Sequence, residues 1–594
     1  MDAQSRRIRY LENRLSSSSQ PGSSDPVVSG IYALPVELLI KIFHCVVYSA
    51  NTDVRGGCLA IITLSHVCRD WRSITLDVPR LWCNIWTPMQ LSGVEIIVKR
   101  SKYSPLNIHC DISSDGPRTQ VLTNYIARSK IVPAWKNLSW TSPETAMRWI
   151  VYLLNSTKIT SFPNLVSLDL SSQSRAIPFS VPTAGAVDDF PALTHIRLAR
   201  VLPEELPPAI FPKLQTFYIY FPVHDYLASP FFRLSGLLSL LSRAPELEQV
   251  TLDEAVPVVD VELVPPAGSA TSETPSFVGS RRTPKHVHPV PMSCITTFSW
   301  YHCPPKDLWR FFLFVPMAHL QTLHLLLDTP LSRWKKQEAG VIFNMNSQYD
   351  LSTHPMVDAV IQLPSLENLV LEFSDIEALK LCFRRFLVPA LTSLALAYVP
   401  STPKDHTSNP PAIPHPDSIF RNPSMPSLTT LTISNLDLPA RNIRSILEYA
   451  PSLRSISLES CLGTPNLLGS LIWMSGSRCQ ICPYISHLTF IKCDDLEDMF
   501  LTNLVTNRNI APPPLPSPVR LGRAMKPLRR RAIAASSPAS ASSPASRCLS
   551  ANMGDSRPSR INMIRVEGCK RIIEEDLIAL KNTPFGVQTV YWKT

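Results

Sequence analysis

Ala450-Pro-Ser-Leu-Arg-Ser-Ile-Ser-Leu-Glu-Ser-Cys461 is the stretch whose reading decides the fold. Leu453, Ile456 and Leu458 are apolar at intervals of three and then two. The closing interval is that of a strand with one buried face. Pro451 stands two residues before Leu453. It ends a helix and biases its neighbour to extended geometry, as a helix-to-strand junction requires. Immediately upstream, Arg441 to Tyr449 is amphipathic at helical spacing.

The same apolar spacing begins at Leu165, Leu193, Leu214, Leu247, Ile295, Leu320, Leu366, Leu391, Leu428, Ile485 and Ile561, with Trp135/Leu138/Trp140 as a plausible earlier copy. Pro163, Pro191, Pro212, Pro245, Pro364, Pro389, Pro426 and Pro483 repeat the role of Pro451. Leu234 to Arg243 and Ile376 to Leu387 are further amphipathic helices that stop before a proline. Helix, turn and strand, repeated, stack their strands into a parallel sheet with the helices on its opposite side. The expected fold is therefore an α/β repeat, a leucine-rich-repeat solenoid made irregular by insertions. Cys303, Cys461, Cys493 and Cys569 each stand three residues after a final apolar position, where a small buried donor can bond loop backbone. The continuations Cys493-Asp-Asp-Leu-Glu-Asp and Cys569-Lys-Arg-Ile-Ile-Glu-Glu-Asp-Leu resemble the cysteine-containing subclass of these repeats.

Residues 1–29, ending in a Ser-rich run, read as a disordered leader. Residues 30–90 read as a small module of three short helices. Leu34, Leu38, Leu39, Ile42, Phe43 and Val46 share one helical face; the polar stretch 49–57 is expected to break that helix. A second helix is expected through Leu64, Val67, Cys68, Trp71 and Ile74, and a third short element at Val78-Pro-Arg-Leu-Trp82. Residues 91–506 form the solenoid, with a Pro/Val/Ser-rich loop at 256–291 expected to be disordered. Residues 507–560, rich in Pro, Ala, Ser and Arg, are expected to be a disordered insertion, and 561–594 the last repeat with a C-terminal cap.

Composition narrows the function classes. Apolar residues are 45% and charged ones 18%, enough to bury a sizeable core. The formal net charge is +10, but residues 508–560 hold ten basic side chains against one acidic, so the body is nearly neutral and nucleic-acid binding by it is not expected. No apolar run reaches the length of about 20 residues that spans a bilayer, and Met1 to Leu15 is not a secretory signal. A soluble intracellular protein, cytoplasmic or nuclear, is expected, with its fourteen cysteines as free thiols or metal ligands.

Leu34-Pro-Val-Glu-Leu-Leu-Ile-Lys-Ile-Phe43, Val67-Cys-Arg-Asp-Trp-Arg72 and Val78-Pro-Arg-Leu-Trp82 resemble, in order, the three signature blocks of the F-box family. The gap from Phe43 to Val67 is longer than usual in that family. The resemblance implies docking to the Skp adaptor and, through it, to the cullin of a ubiquitin ligase, with the repeats holding a protein substrate. It implies that the chain does no chemistry itself. Carried over by motif, Leu34, Pro35, Leu38, Leu39, Ile42, Phe43, Val67, Cys68, Trp71, Leu81 and Trp82 are the adaptor-face candidates, of which about half are expected to hold the small helices together instead.

Substrate contacts are expected from side chains between the apolar positions, such as Thr194, Arg197, Gln215, Tyr218 and His324. Cys479, Cys482, His487 and Cys493 have types and spacing that suit zinc. Yet Cys482 fills the pre-proline slot held elsewhere by Ala244, Val388 and Ala450, and Cys493 belongs to the repeat, so no metal and no cofactor is expected. The aromatic run Trp309 to Phe314 reads as core. Phosphate-loop, His-Glu-x-x-His and Gly-x-Ser-x-Gly motifs are absent from the sequence, and catalytic residues are not expected. Two other readings stay open: a repeat scaffold outside any ligase, and nucleic-acid binding through 507–560, where Lys526-Pro-Leu-Arg-Arg-Arg531 is most basic.

Overall fold

The computed structural model describes residues 34–48, 54–86, 89–112, 121, 124–126, 131–154, 161–173, 190–222, 232–257, 261–263, 285–303, 308–327, 360–400, 409–472, 481–509, 559–583 and 586–593. They divide between two compact units, Met1–Asp111 with Pro117–Asn137 and Ile112–Gly116 with Leu138–Thr594.

In the first unit, helix α1 (Val36–Val47) starts behind Pro35, whose carbonyl accepts the amides of Leu38 and Leu39. It buries Leu39, Phe43 and Val47. Helix α2 (Val54–Val67) buries Cys58, Ile61 and Leu64. The first helix ends at Val47, ahead of the polar stretch 49–57 expected to break it, and the second begins inside that stretch, so that Gly56 and Gly57 are helical. A Cβ at residue 57 would stand 2.7 Å from the Val47 carbonyl oxygen and 3.0 Å from Asn84 Nδ2. The glycine there is a close-approach residue, and that is why a poor helix former sits inside a helix.

The single helix expected from Leu64 to Ile74 is in fact broken at Cys68. Its extended backbone (φ −154°, ψ 175°) makes it the N-cap of α3 (Arg69–Asp77), and its sulfur accepts the Trp71 amide at 3.4 Å. The turn Pro79–Trp82 buries Leu81 and Trp82, with Trp82 Nε1 donating to Thr75 O at 2.7 Å. Asn84–Trp86 and Leu106–Asp111 then pair in parallel, with a helix (Leu91–Ser101) between them. Three asparagines link side chain to side chain: Asn107 Nδ2 donates to Asn84 Oδ1 and Asn137 Nδ2 to Asn107 Oδ1, each at 2.8 Å.

The second unit is built on a large parallel sheet with helices. Its strands include Ser167–Ser172, His195–Ala199, Thr216–Tyr220, Gln249–Asp253, Thr297–Cys303, Thr322–Leu327, Asn368–Phe373, Ser393–Tyr398, Thr430–Ser434, Ser455–Glu459, His487–Ile491, Met563–Glu567 and Thr589–Lys593, each paired in parallel with the next. The second and third apolar positions of the spacing face inward throughout, as Ile456 and Leu458 do.

Three backbone devices recur, and they explain the sequence pattern. First, the amide of the leading apolar residue bonds the carbonyl three residues back: Leu193 to Phe190, Leu214 to Phe211, Leu453 to Ala450. The prolines therefore sit at the second position of a β-turn, where a fixed φ suits them, which is a tighter role than ending the helix. Second, one carbonyl accepts two amides of the following strand's entry: Thr194 O takes Gln215 N and Thr216 N, and Thr429 O takes Arg454 N and Ser455 N. Third, Arg200, Glu254, His302, Asn435, Ser460, Lys492 and Gly568 all have φ between +51° and +62° at the strand exit. Several of their amides reach forward to the next strand, as Ser460 N does to Ile491 O and Lys492 N to Glu567 O.

Leu234–Arg243 and Ala440–Tyr449 are helices as expected, whereas the helix expected to reach Leu387 ends at Cys382 and passes through Phe383–Arg385 into a strand, Phe386–Leu387. Trp309, Phe311, Phe312 and Phe314 are core. The interval 256–291, expected to be a disordered loop, contains two short strands, Val261–Leu263 and Lys285–Val287, paired in parallel. Its remaining central part lies outside the described residues, as do 1–33 and 510–558.

Candidate functional site

The eleven adaptor-face candidates separate by burial. Leu39, Phe43, Leu81 and Trp82 are buried, the half-buried Trp71 packs on Phe43 with ring centroids 4.8 Å apart, and Cys68 is committed as the α3 cap. These hold the module together. Leu34 is half-buried and Pro35 exposed at the entry to α1. Leu38, Ile42 and Val67 are exposed, at 43%, 36% and 51%.

Val46, Leu59 and Ile62 are exposed as well and were not among the candidates. Their signal is spacing: Leu38, Ile42 and Val46 follow at four-residue steps along α1, and Leu59 and Ile62 at a three-residue step on α2. Each helix thus carries an apolar stripe that the module's own core does not use. Apolar surface left exposed in this way is open to a partner. Within the module, burial and the Arg80 charge lower the His44 pKa, and burial pushes the Cys83 thiol up to about 11.

On the solvent side of the sheet, the register places Arg197, Tyr218, Thr251, Ser299 and His324 in one row. Arg197 lies 4.6 Å over the Tyr218 ring, and the Tyr218 hydroxyl donates to Asp253 Oδ2. Burial and then that carboxylate push the Tyr218 phenol well above its ordinary range. Tyr301 OH meets His324 Nδ1 at 3.3 Å, the two rings edge to face with centroids 5.0 Å apart. His324 Nε2 is 3.3 Å from Glu372 Oε1, at ion-pair distance but without hydrogen-bond alignment.

Thr194 and Gln215 do not share this row. They precede their strands, and their carbonyls are the double acceptors of the ladder; His195 and Thr216 take the outward positions expected of them. The error is one of phase, since residues three apart in an extended chain point to opposite faces.

The cysteines serve the backbone. Cys461 Sγ donates to Ile433 O (3.3 Å), Cys493 Sγ to Leu458 O (3.7 Å) and Cys569 Sγ to Phe490 O (3.8 Å). Cys482 Sγ donates to Leu447 O at 3.3 Å, and burial raises its pKa to about 12. Cys479 lies outside the described residues, among which no group of three or more His, Cys, Asp and Glu side chains is placed to hold a metal ion. Among the same residues, no helix is long and apolar enough to cross a membrane. The basic stretch Lys526 to Arg531 is outside them.

Compared with known proteins, residues 31–87 match the family model for the F-box-like domain. No curated protein matches the chain. The match covers all three signature blocks and both helical stripes, and the chain is accordingly identified as one that carries an F-box-like domain at residues 31–87.

Proposed function

We propose that the chain is the substrate-recognition subunit of a Skp–cullin–F-box ubiquitin ligase, acting in the cytoplasm or nucleus. The second unit is read as an irregular leucine-rich-repeat solenoid that holds a protein substrate, and the chain as a non-catalytic subunit whose partners transfer the ubiquitin. The observation that carries the reading is the pair of unused apolar stripes, Leu38/Ile42/Val46 and Leu59/Ile62, inside a matched F-box-like domain. The internal anchors Phe43, Trp71 and Trp82 support it, because they leave those stripes free without loosening the module.

The long interval from Phe43 to Val67 is occupied for its second half by α2 and does not interrupt either stripe. The test is co-purification of the full chain with the Skp adaptor, beside an Ile42→Asp variant. A buried interface anchor is worth roughly 2 kcal/mol or more, so adaptor affinity is expected to fall at least about 30-fold while the circular dichroism of the variant stays that of the parent. Failure of the parent chain to bind the adaptor would leave the scaffold reading.

A further inference from the structure

Among the described residues, the solvent side of the sheet twice lays an arginine over a tyrosine on the next strand and ties the pair to a carboxylate. Arg197 covers Tyr218, whose hydroxyl bonds Asp253. Arg565 lies 5.0 Å over Tyr591 and forms an ion pair with Glu567 at 2.7 Å. In both, the cation and the ring are direct register partners, Arg197 with Tyr218 and Arg565 with Tyr591.

Between these places, among the described residues, the tyrosine and the carboxylates recur without the arginine. Tyr301 is the register partner of Asp253 on one side; on the other, Leu326 separates it from Glu372 by one strand. Burial raises the pKa of its phenol, and the two carboxylates, Glu372 more than Asp253, add to that. His324 braces the ring edge.

Across the outward positions from Gln249–Asp253 to His487–Ile491, the formal charges are Asp253, Glu372 and Glu459, with no lysine or arginine. A half-buried ring in a field of like-signed carboxylates is a cation site by charge complementarity. The strands beyond Glu372 present Ala395, Ala397, Thr432 and Ser457, side chains short enough for a partner backbone to approach.

We infer that the surface around Tyr301, between Asp253 and Glu372, binds an arginine side chain of a partner protein segment. The guanidinium stacks on the ring as Arg197 does on Tyr218 and donates to Glu372, a planar donor matching a carboxylate better than an ammonium does. The inference deepens the proposed receptor role and rests on it, naming the substrate feature that the sheet would read.

A bead library of random nonapeptides, probed with the full-length protein, tests it. Arginine is expected to be enriched about ten-fold at one position, in keeping with one cation–π contact and one charge-assisted bond. That enrichment is expected to vanish in Tyr301→Leu and Glu372→Gln proteins of parental thermal stability. Selection of lysine at that position, lost in both variants, also supports a cation site. Absence of basic enrichment, selection of acidic or apolar residues, or basic selection unchanged by Tyr301→Leu overturns it. Adaptor binding by the same preparations separates the two ideas: retained adaptor binding with no basic selection refutes only the arginine site, and the reverse refutes only the ligase role.

Discussion

Arg508 is the perturbation with the most informative outcome. It lies buried in the last turn of the helix Asp498–Asn509 and spreads its guanidinium over three carbonyls: Nε to Leu471 O (2.8 Å), Nη1 to Cys482 O (3.0 Å) and Nη2 to Ile481 O (2.8 Å). Leu471 ends the helix Thr464–Leu471, whose negative dipole end favours a cation. Burial holds the guanidinium pKa down to about 10, so the desolvation it suffers is considerable. Arg508→Lys keeps a buried charge yet cannot fork across three acceptors. Two stranded carbonyls at roughly 1 kcal/mol or more each give an expected loss of about 2–4 kcal/mol.

Arg508→Met strands all three carbonyls but also removes the desolvated charge, and these opposed terms leave a loss of about 1 kcal/mol or less. The conservative change is therefore expected to be the worse one. The helix Thr464–Leu471 receives the contact directly, so the assay is hydrogen exchange read by mass spectrometry on peptides covering 464–471. A loss of about 2 kcal/mol speeds exchange roughly 30-fold where opening is local. A Lys variant with parental protection beside a strongly deprotected Met variant would show that charge, not the fork, holds this joint.

Gly57→Ala drives a Cβ to 2.7 Å from the Val47 carbonyl oxygen, a backbone atom that cannot swing away. A loss of about 1–3 kcal/mol is expected, seen as a lowered thermal midpoint of the first unit and weakened adaptor binding. Gly463→Ala combines φ +74° with a contact of 2.6 Å to Leu438 O, and should cost more than Gly568→Ala, where φ is +62° but the nearest atom is a Lys492 side-chain carbon at 3.4 Å; urea unfolding of both variants ranks them. Asn107→Ala breaks both links of the asparagine chain, and a loss of about 1–3 kcal/mol is expected in the urea unfolding of the first unit.

The sheet was legible because the inward positions of each strand must be apolar, and Ile456 and Leu458 obey that rule with no insertion inside the motif. Asn84–Trp86 escaped because it offers a single inward apolar residue, Ile85, the register partner of Ile108, while Asn84 lies on the opposite face, where Asn107 satisfies its side chain. The last strand, Thr589–Lys593, carries the spacing as Val587, Val590 and Trp592, which makes the expected C-terminal cap a further strand of the sheet. The F-box-like blocks were legible as a set, yet burial is a tertiary property. No spacing tells that Phe43 meets Trp71 while Ile42 meets solvent. Nor does local propensity betray Gly57, whose reason is a carbonyl from the neighbouring helix.

The junction at Asn509 has a consequence of a different sort. Its side chain accepts the Ile561 amide at 2.9 Å and donates to the Ile561 carbonyl at 3.3 Å, so residues 52 apart in sequence are joined as a strand pair would join them. Whatever lies between leaves and re-enters at one fixed point. Closing such a loop grows dearer only with the logarithm of its length, so doubling it adds about 0.6 kcal/mol. That makes the junction of Asn509 with Ile561 the natural graft point of the chain, where a tag, a fluorescent protein or a foreign binding domain can be added while the strands on either side keep their register.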